Sequence, residues 1–262
     1  MGNRSMAGTL RDRMPFLRWS VLRFLLGGPT FVRTGQVGDG RERAARDYVL
    51  AHSPAGDPEA VLAAFDDFAR NHSLLVNIGD EKGLILDAAL RKYAPRQLLE
   101  LGGYCGYSAI RTARLLGEDA RLVSVEMSAD NAEIARELIA HAGLADRASV
   151  VVGTIGDGGQ TVKTLAVEHG FGPGTLDFMF VDHDKSAYLP DLKTILEAGW
   201  LHQGSVVVAD NVAIPGAPDY RRYMQEAQGT RWRTTEHHTH TEYQSLLKDL
   251  VLESEYLGAP AQ

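Results

Sequence analysis

Hydrophobic and polar positions along the chain follow two rhythms. Between Arg41 and Tyr93 apolar residues recur at helical spacing, which predicts helices over Arg41–Ala51, Asp57–Asn71 and Gly79–Tyr93. In the second of these Asp57 is the N-cap and Pro58 takes the first helical position, where a missing N–H is harmless. After Pro95 the period shortens. Gln97–Leu101 is a short apolar run closed by glycines, and similar runs recur at Arg121–Met127, Ser149–Thr154, Leu176–Asp182 and Ser205–Asp210. Helical stretches of roughly 10–20 residues separate them, so the pattern predicts βαβ units in a parallel sheet. The C-terminal part breaks this rhythm. Trp232–Glu236 and Leu250–Leu257 both read as extended with no helix between them, which predicts an antiparallel hairpin at the sheet edge.

A length of 262 residues fits one α/β domain plus an extension, here a domain over 41–262 and a basic arm over 1–40. The 44% hydrophobic and 23% charged composition is that of a chain able to bury a core. The net charge of −7 is unevenly spread: residues 1–46 hold nine Arg against Asp12, Asp39 and Glu42, a local +6, and the rest carries −13. An acidic body argues against nucleic acid as partner, because a phosphate-tracking surface needs a basic face. In the arm, the apolar stretch from Met14 to Val32 is broken by Arg18, Arg23, Gly27, Gly28 and Pro29. It is too interrupted for a spanning helix or a secretory signal. Packing on the body or on a second copy, as in a homodimer, is expected in preference to contact with an anionic membrane surface. Met6 is read as the natural start. The single cysteine, Cys105, excludes an internal disulfide and suits a reducing, cytoplasmic setting.

In open parallel sheets ligands bind beyond the carboxyl ends of the strands. The first strand ends in Glu100-Leu101-Gly102-Gly103-Tyr104-Cys105-Gly106-Tyr107-Ser108, a glycine loop that lets backbone approach a ligand. Tyr104 stands where a dinucleotide fingerprint requires its second glycine, which argues against NAD. The second strand ends in Glu126, an acid placed to accept both hydroxyls of a ribose. The fourth and fifth strands end in Asp182-His183-Asp184-Lys185 and Asp210-Asn211. If those strands are neighbours, two carboxylates and an amide oxygen converge as hard donors suited to Mg²⁺. Lys185 then lies within reach of an atom at that site, as a general base would. His237, His238 and His240 are expected in a solvated loop beyond an edge strand rather than on a metal, and Cys105 in packing rather than in nucleophilic catalysis.

Four ordered motifs resemble the catechol O-methyltransferases: Asn77-Ile78-Gly79-Asp80-Glu81-Lys82-Gly83, the glycine loop Leu99–Ser108, Asp182-His183-x-Lys185, and Ala209-Asp210-Asn211-Val212-x-x-Pro215-Gly216. The likeness runs from about Ala45 to Gly258. It implies a Rossmann-like class I methyltransferase fold, an α/β sheet of order 3-2-1-4-5-7-6 with strand 7 antiparallel. It also implies S-adenosyl-L-methionine (AdoMet) as methyl donor, Mg²⁺ as essential ion and a small catechol as acceptor. By the family pattern Val76, Glu100, Tyr104 and Ser108 would surround the methionine part of AdoMet, with Gly102 and Asp182 also lining its site. Glu126 would hold the ribose, and Met127 and His183 would flank the adenine. Asp182, Asp210 and Asn211 would bind Mg²⁺, Lys185 would be the base, and Glu242 would accept a hydrogen bond from the second catechol hydroxyl. The chain departs from the animal members in having Asp184 and Leu74 in place of two tryptophans, and Ile155-Gly156 in place of a Ser-Gln pair. Larger phenylpropanoid or flavonoid diols, and a non-catalytic AdoMet-binding protein, are the alternative readings.

Overall fold

The computed structural model describes residues 34–243 and 247–258. The reading of residues 1–33, including the natural start and the membrane question, falls outside them. Among the described residues no helix is long and apolar enough to cross a membrane.

Among the described residues, three helices lie between Arg41 and the first strand: α1 (Arg41–His52), α2 (Pro58–Asn71) and α3 (Gly79–Tyr93). The Asp57 carboxylate accepts from Ala60 N at 3.0 Å, the N-cap that its place before Pro58 predicts. Strands and helices then alternate through β1 (Gln97–Leu101), α4 (Tyr107–Ala113), β2 (Arg121–Glu126), α5 (Ala129–His141) and β3 (Ala148–Val152). They continue through α6 (Gln160–His169), β4 (Leu176–Val181), α7 (Tyr188–Glu197) and β5 (Leu201–Ala209) to α8 (Pro218–Glu226), β6 (Trp232–His240) and β7 (Lys248–Tyr256). The seven strands form one sheet in the order β3-β2-β1-β4-β5-β7-β6. Strands β1 to β5 are parallel, and β7 runs antiparallel to both β5 and β6.

Side chains alternate between the two faces of each strand, and this sorts the core. Leu98, Phe178, Phe180, Val206 and Val208 pack with the helices α1 to α5. Leu99, Met179, Val181, Val207 and Ala209 point the other way, onto α6, α7 and α8. Both faces are covered, so the central strands read as continuous apolar runs. The polar residues are displaced to the strand ends, and the parallel direction gathers those of β1, β2, β4 and β5 at one edge.

Two strands are longer than their apolar runs. β5 begins at Leu201 because His202, Gln203 and Gly204 extend it with polar residues, and a register irregularity lies opposite, between Leu176 and Phe178. β6 continues to His240, which corrects the expectation of a solvated histidine loop. An edge strand with a wet face needs no apolar run, and nine residues from Trp232 to His240 pair with β7 without a break. Each histidine also has a carboxylate: His237 Nε2 lies 3.0 Å from Glu253, His238 Nε2 3.8 Å from Glu236 and His240 Nδ1 3.1 Å from Glu81.

A buried ion pair locks α3 to α4. Arg111 donates bidentately to Asp87, with both contacts at 2.9 Å, and Arg114 reaches the same carboxylate at 2.7 Å. Gly83 makes room for it, since a Cβ there would stand 2.4 Å from the Arg111 guanidinium carbon. We expect Asp87→Ala to cost about 3–5 kcal/mol of unfolding free energy, because two arginines lose their buried counter-charge. Urea titration followed by circular dichroism checks this; a loss below about 1 kcal/mol would contradict the role given to the pair.

Candidate active site

The carboxyl end of β1 delivers Glu100 into the interior. Its side chain is 1% exposed; Ser124 donates to Oε2, while Oε1 is buried without a hydrogen-bond partner. Burial pushes this carboxyl up to about 7, and hydrogen bonds from Ser108 and Ser124 only partly oppose the rise. An unpaired carboxylate oxygen in such a place is costly unless a cation or donor completes it. Immediately beyond, Gly102 has φ +98°, and a Cβ on it would sit 2.4 Å from the Asp182 carbonyl oxygen. Glycine is therefore required where the ends of β1 and β4 touch. Tyr104 also holds a positive φ, of 42°, and its hydroxyl donates to Glu42 at 3.0 Å.

Glu126, at the end of β2, accepts Tyr104 N and Ser128 N, each at 2.8 Å, through its two oxygens. Burial raises its pKa against these bonds. The segment before α1 lies against it: a Cβ on Gly35 would meet Glu126 Oε1 at 3.2 Å and the Met127 Cγ at 3.4 Å. Fully buried Asn131 fastens this segment, donating to Gly35 O at 2.8 Å and accepting from Gln36 Nε2 at 3.0 Å. Met127 is 44% exposed. His183 follows β4, two strands away, with Nε2 2.9 Å from Asp191, Nδ1 buried and unpartnered, and its ring stacked on Tyr188. Val76 stands half-buried in the segment entering α3.

The third group gathers at β4 and β5. Lys185 Nζ donates to Asp182 Oδ1 at 2.8 Å and to the Tyr188 hydroxyl at 2.7 Å, and that hydroxyl donates to Asp210 O at 2.9 Å. Asp210 is fully buried; Oδ1 accepts Asn211 N at 2.7 Å and Oδ2 lies 2.8 Å from Lys82 Nζ. The Asn211 amide nitrogen donates to Glu242 at 3.0 Å and to Asp249 at 2.8 Å, which leaves its oxygen as the acceptor end. Lys82 also contacts Glu242 and lies 3.1 Å from Asp249. Burial alone would lower the Lys82 pKa, but Asp210, Glu242, Asp182 and Asp249 together raise it above its ordinary value. Burial pushes the Asp210 carboxyl up to about 7, the charges of Asp182 and Glu242 add to the rise, and Lys82 opposes it. Four carboxylates against the ammonium groups of Lys82 and Lys185 thus leave the group short of positive charge, a shortage that a divalent cation would relieve. Among the described residues no three His, Cys, Asp or Glu side chains form a metal-binding group; the set here is two carboxylates and an amide.

The predicted residues thus fall into an arc along one sheet edge, from Glu126 through Glu100 and Asp182 to Asp210, Asn211 and Glu242. Two members of the acidic group, Lys82 and Asp249, were not singled out by sequence reasoning. Lys82 shares a helix face with Leu86, Ala89 and Leu90, all buried, and a lysine on an apolar stripe signals an internal charge. Asp249 opens the apolar run Leu250-Val251-Leu252, and its Oδ1 accepts Ile214 N and Leu250 N at 3.0 and 2.8 Å.

Residues 55–225 match the O-methyltransferase family. A probable O-methyltransferase of Mycobacterium tuberculosis is 62% identical over 225 residues, covering 86% of this chain and 96% of that protein. Catechol O-methyltransferase B of Danio rerio is 42% identical over 210 residues, 80% of this chain and 76% of its own. Among solved structures, an O-methyltransferase from Bacillus cereus in complex with SAH superposes with a TM-score of 0.58 at 25% identity, over 81% of this chain and 90% of its own. The O-methyltransferase TomG of Streptomyces achromogenes in complex with SAM gives 0.60 at 27% identity, over 75% and 89%. The chain belongs to the O-methyltransferase family, and its sheet has the strand order that the sequence motifs imply.

Asn131 offers a direct check of this geometry. Replacing Asn131 by Ala should cost about 1–3 kcal/mol and speed hydrogen exchange at Gln36 and Val37. Exchange at those two amides as slow as in the parent would show that Asn131 does not fasten the segment.

Proposed function

We propose that the protein transfers a methyl group from AdoMet to one hydroxyl of a catechol-type vicinal diol, with Mg²⁺ required. Support for the diol reading comes from Lys185 and Glu242, a base and an acceptor that both reach the Asp182–Asp210–Asn211 set. Lys185 does so through Asp182 Oδ1 at 2.8 Å, and Glu242 through the Asn211 amide at 3.0 Å. Support for AdoMet comes from the SAH and SAM held by the two structural relatives and from the unpartnered Glu100 Oε1, which fits an amino group. The excess of carboxylates over ammonium groups in the acidic group supports a divalent ion.

AdoMet supplies an activated methyl group on a cationic sulfur. Mg²⁺ held by Asp182, Asp210 and Asn211 would supply positive charge that favours the ionised diol and loosens the grip of Asp182 on the Lys185 ammonium. The protein's own groups do the rest. A phenol of pKa ~10 is mostly neutral near pH 7, so a base is needed; Lys185 serves as that base in its neutral amine form, after its ammonium has released a proton to solvent, and takes the proton from the reacting hydroxyl. Glu242 accepts a hydrogen bond from the second hydroxyl and fixes the ring. Glu100 and Glu126 hold the amino group and ribose of the donor, and Met127 and His183 border the adenine. The contact of Gly102 with Asp182 keeps donor and acceptor subsites adjacent, and in a direct displacement that alignment supplies much of the rate.

A methylation assay over small catechols and bulkier polyphenols, with and without EDTA, tests the reading. Turnover should need AdoMet and disappear on chelation. Asp210→Ala should abolish turnover and still bind AdoMet, and Lys185→Ala should lower kcat on the order of 100-fold or more with KM little changed. Chelation-insensitive methylation would remove the metal, and an unchanged kcat would remove Lys185 as base.

Glu100 sets a pH dependence. Its folded pKa is raised, so in the free protein its contribution to stability is full at low pH and lost as pH rises through about 7. A bound amino group favours the ionised form. Affinity for S-adenosylhomocysteine should therefore climb with pH up to about 7 and then level off. In calorimetry Glu100→Gln should weaken binding and flatten the profile; a parent profile already flat would sink the assignment.

A further inference from the structure

We infer that Lys82 is a resident counter-cation of the acidic group, sharing Asp210 with the divalent ion and setting how tightly that ion is held. The inference rests on the metal site proposed above. Asp210 Oδ1 already accepts Asn211 N at 2.7 Å, whereas Oδ2 has no backbone donor and is the oxygen more open to an ion. That oxygen is the one 2.8 Å from Lys82 Nζ. Lys82 is 1% exposed and has two other carboxylates in contact, Glu242 and Asp249. Asp249 is itself pinned by Ile214 N and Leu250 N, and Asn211 Nδ2 bridges it to Glu242. An ammonium that yields Asp210 to an ion can therefore stay paired by leaning on Glu242 and Asp249.

This arrangement has two physical consequences. Without an ion, Lys82 keeps Asp210, Glu242 and Asp249 from repelling one another apart. With an ion, the ammonium stands a few ångströms from a second, larger positive charge in a buried place, and their repulsion weakens metal affinity. The same ammonium holds Glu242 toward Asn211, so it is a positioning residue for the diol's second hydroxyl and does not itself touch the reacting atoms. A purely structural lysine would act differently: its removal would loosen the site and weaken the metal.

The test measures Mn²⁺ binding to the full chain by electron paramagnetic resonance, with circular dichroism as the folding control. The parent should bind Mn²⁺ and Asp210→Asn should lose it. Lys82→Met should bind Mn²⁺ roughly tenfold tighter or more, while Lys82→Arg, which keeps the charge, should stay within about threefold of the parent. Because Lys82→Met removes an internal ion pair and could fail to fold, the ¹⁵Nζ resonance of Lys82 is followed in the parent as a second measurement. It should shift on Mg²⁺ saturation, as the ammonium leaves Asp210. A parent without Mn²⁺ binding overturns the metal site and this inference together. Binding that depends on Asp210 but is equal or weaker in folded Lys82→Met, or a Lys82 resonance unmoved by Mg²⁺, overturns this inference alone.

Discussion

Charge compensation at the ends of β4 and β5 is the constraint on which the site depends. Asp182, Asp210, Glu242 and Asp249 come from four separate places in the chain, and like charges brought together away from water repel strongly. They converge because Lys82 is buried among three of them and Lys185 holds the fourth. Backbone donors finish the work: Asn211 N on Asp210, and Ile214 N and Leu250 N on Asp249. Such a cluster is held in place by its surroundings and is still short of positive charge. That combination, a rigid set of oxygens with an unfilled electrostatic demand, is what a cation-dependent reaction needs.

The sheet makes the convergence possible. β4 and β5 are parallel neighbours, with Val181 opposite Ala209, so the residues that follow them emerge side by side. β7 pairs with β5 from the other direction, Ala209 against Leu252, which brings Asp249 to the same edge. α3 then crosses with its buried face turned inward and lowers Lys82 onto the group. The antiparallel β7 is thus more than an edge finish. A parallel strand in its place would start at the opposite edge of the sheet and carry Asp249 away from Asp210.

How much of this was legible depends on whether local pattern or tertiary packing decides the feature. The α3 boundaries and the Asp57 N-cap follow from turn chemistry and helical spacing, and the structure has them where the sequence does. The central strands are legible because both their faces are buried, so that apolar residues follow one another in Leu98-Leu99, Phe178–Val181 and Val206–Ala209. β6 is legible only over Trp232–Glu236; beyond it the residues are mostly half-buried or exposed, and His237, His238 and His240 look like loop. Pairing with β7, more than a hundred residues from the first strand, decides its length. At the site, residues at strand ends were legible because a parallel sheet fixes where they go. Lys82 and Asp249 were obscured for the opposite reason. Each acts by approaching residues distant in sequence, 128 positions away in the contact of Lys82 with Asp210, and nothing local marks that meeting except a charge where an apolar residue would otherwise pack.

The two halves of the arc are not independent. Gly102 and Asp182 touch through backbone, with no space for a side chain between them, so the edge that carries Glu100 and the edge that carries the acidic group cannot separate without unpairing β1 from β4. They are joined electrically as well, since the Asp182 charge is one of the forces raising the Glu100 carboxyl. A methyl transfer by direct displacement asks for two reactants at a fixed separation and in line. On the proposed reading that separation is set by one strand-to-strand contact in the middle of a seven-stranded sheet. The two ends of the arc are the segment around Gly35 beside Glu126 and the loop that bears Glu242. On the proposed reading the first borders the donor and the second the acceptor, so a change of acceptor would arise at the Glu242 end while the distance across which the methyl travels stays the same.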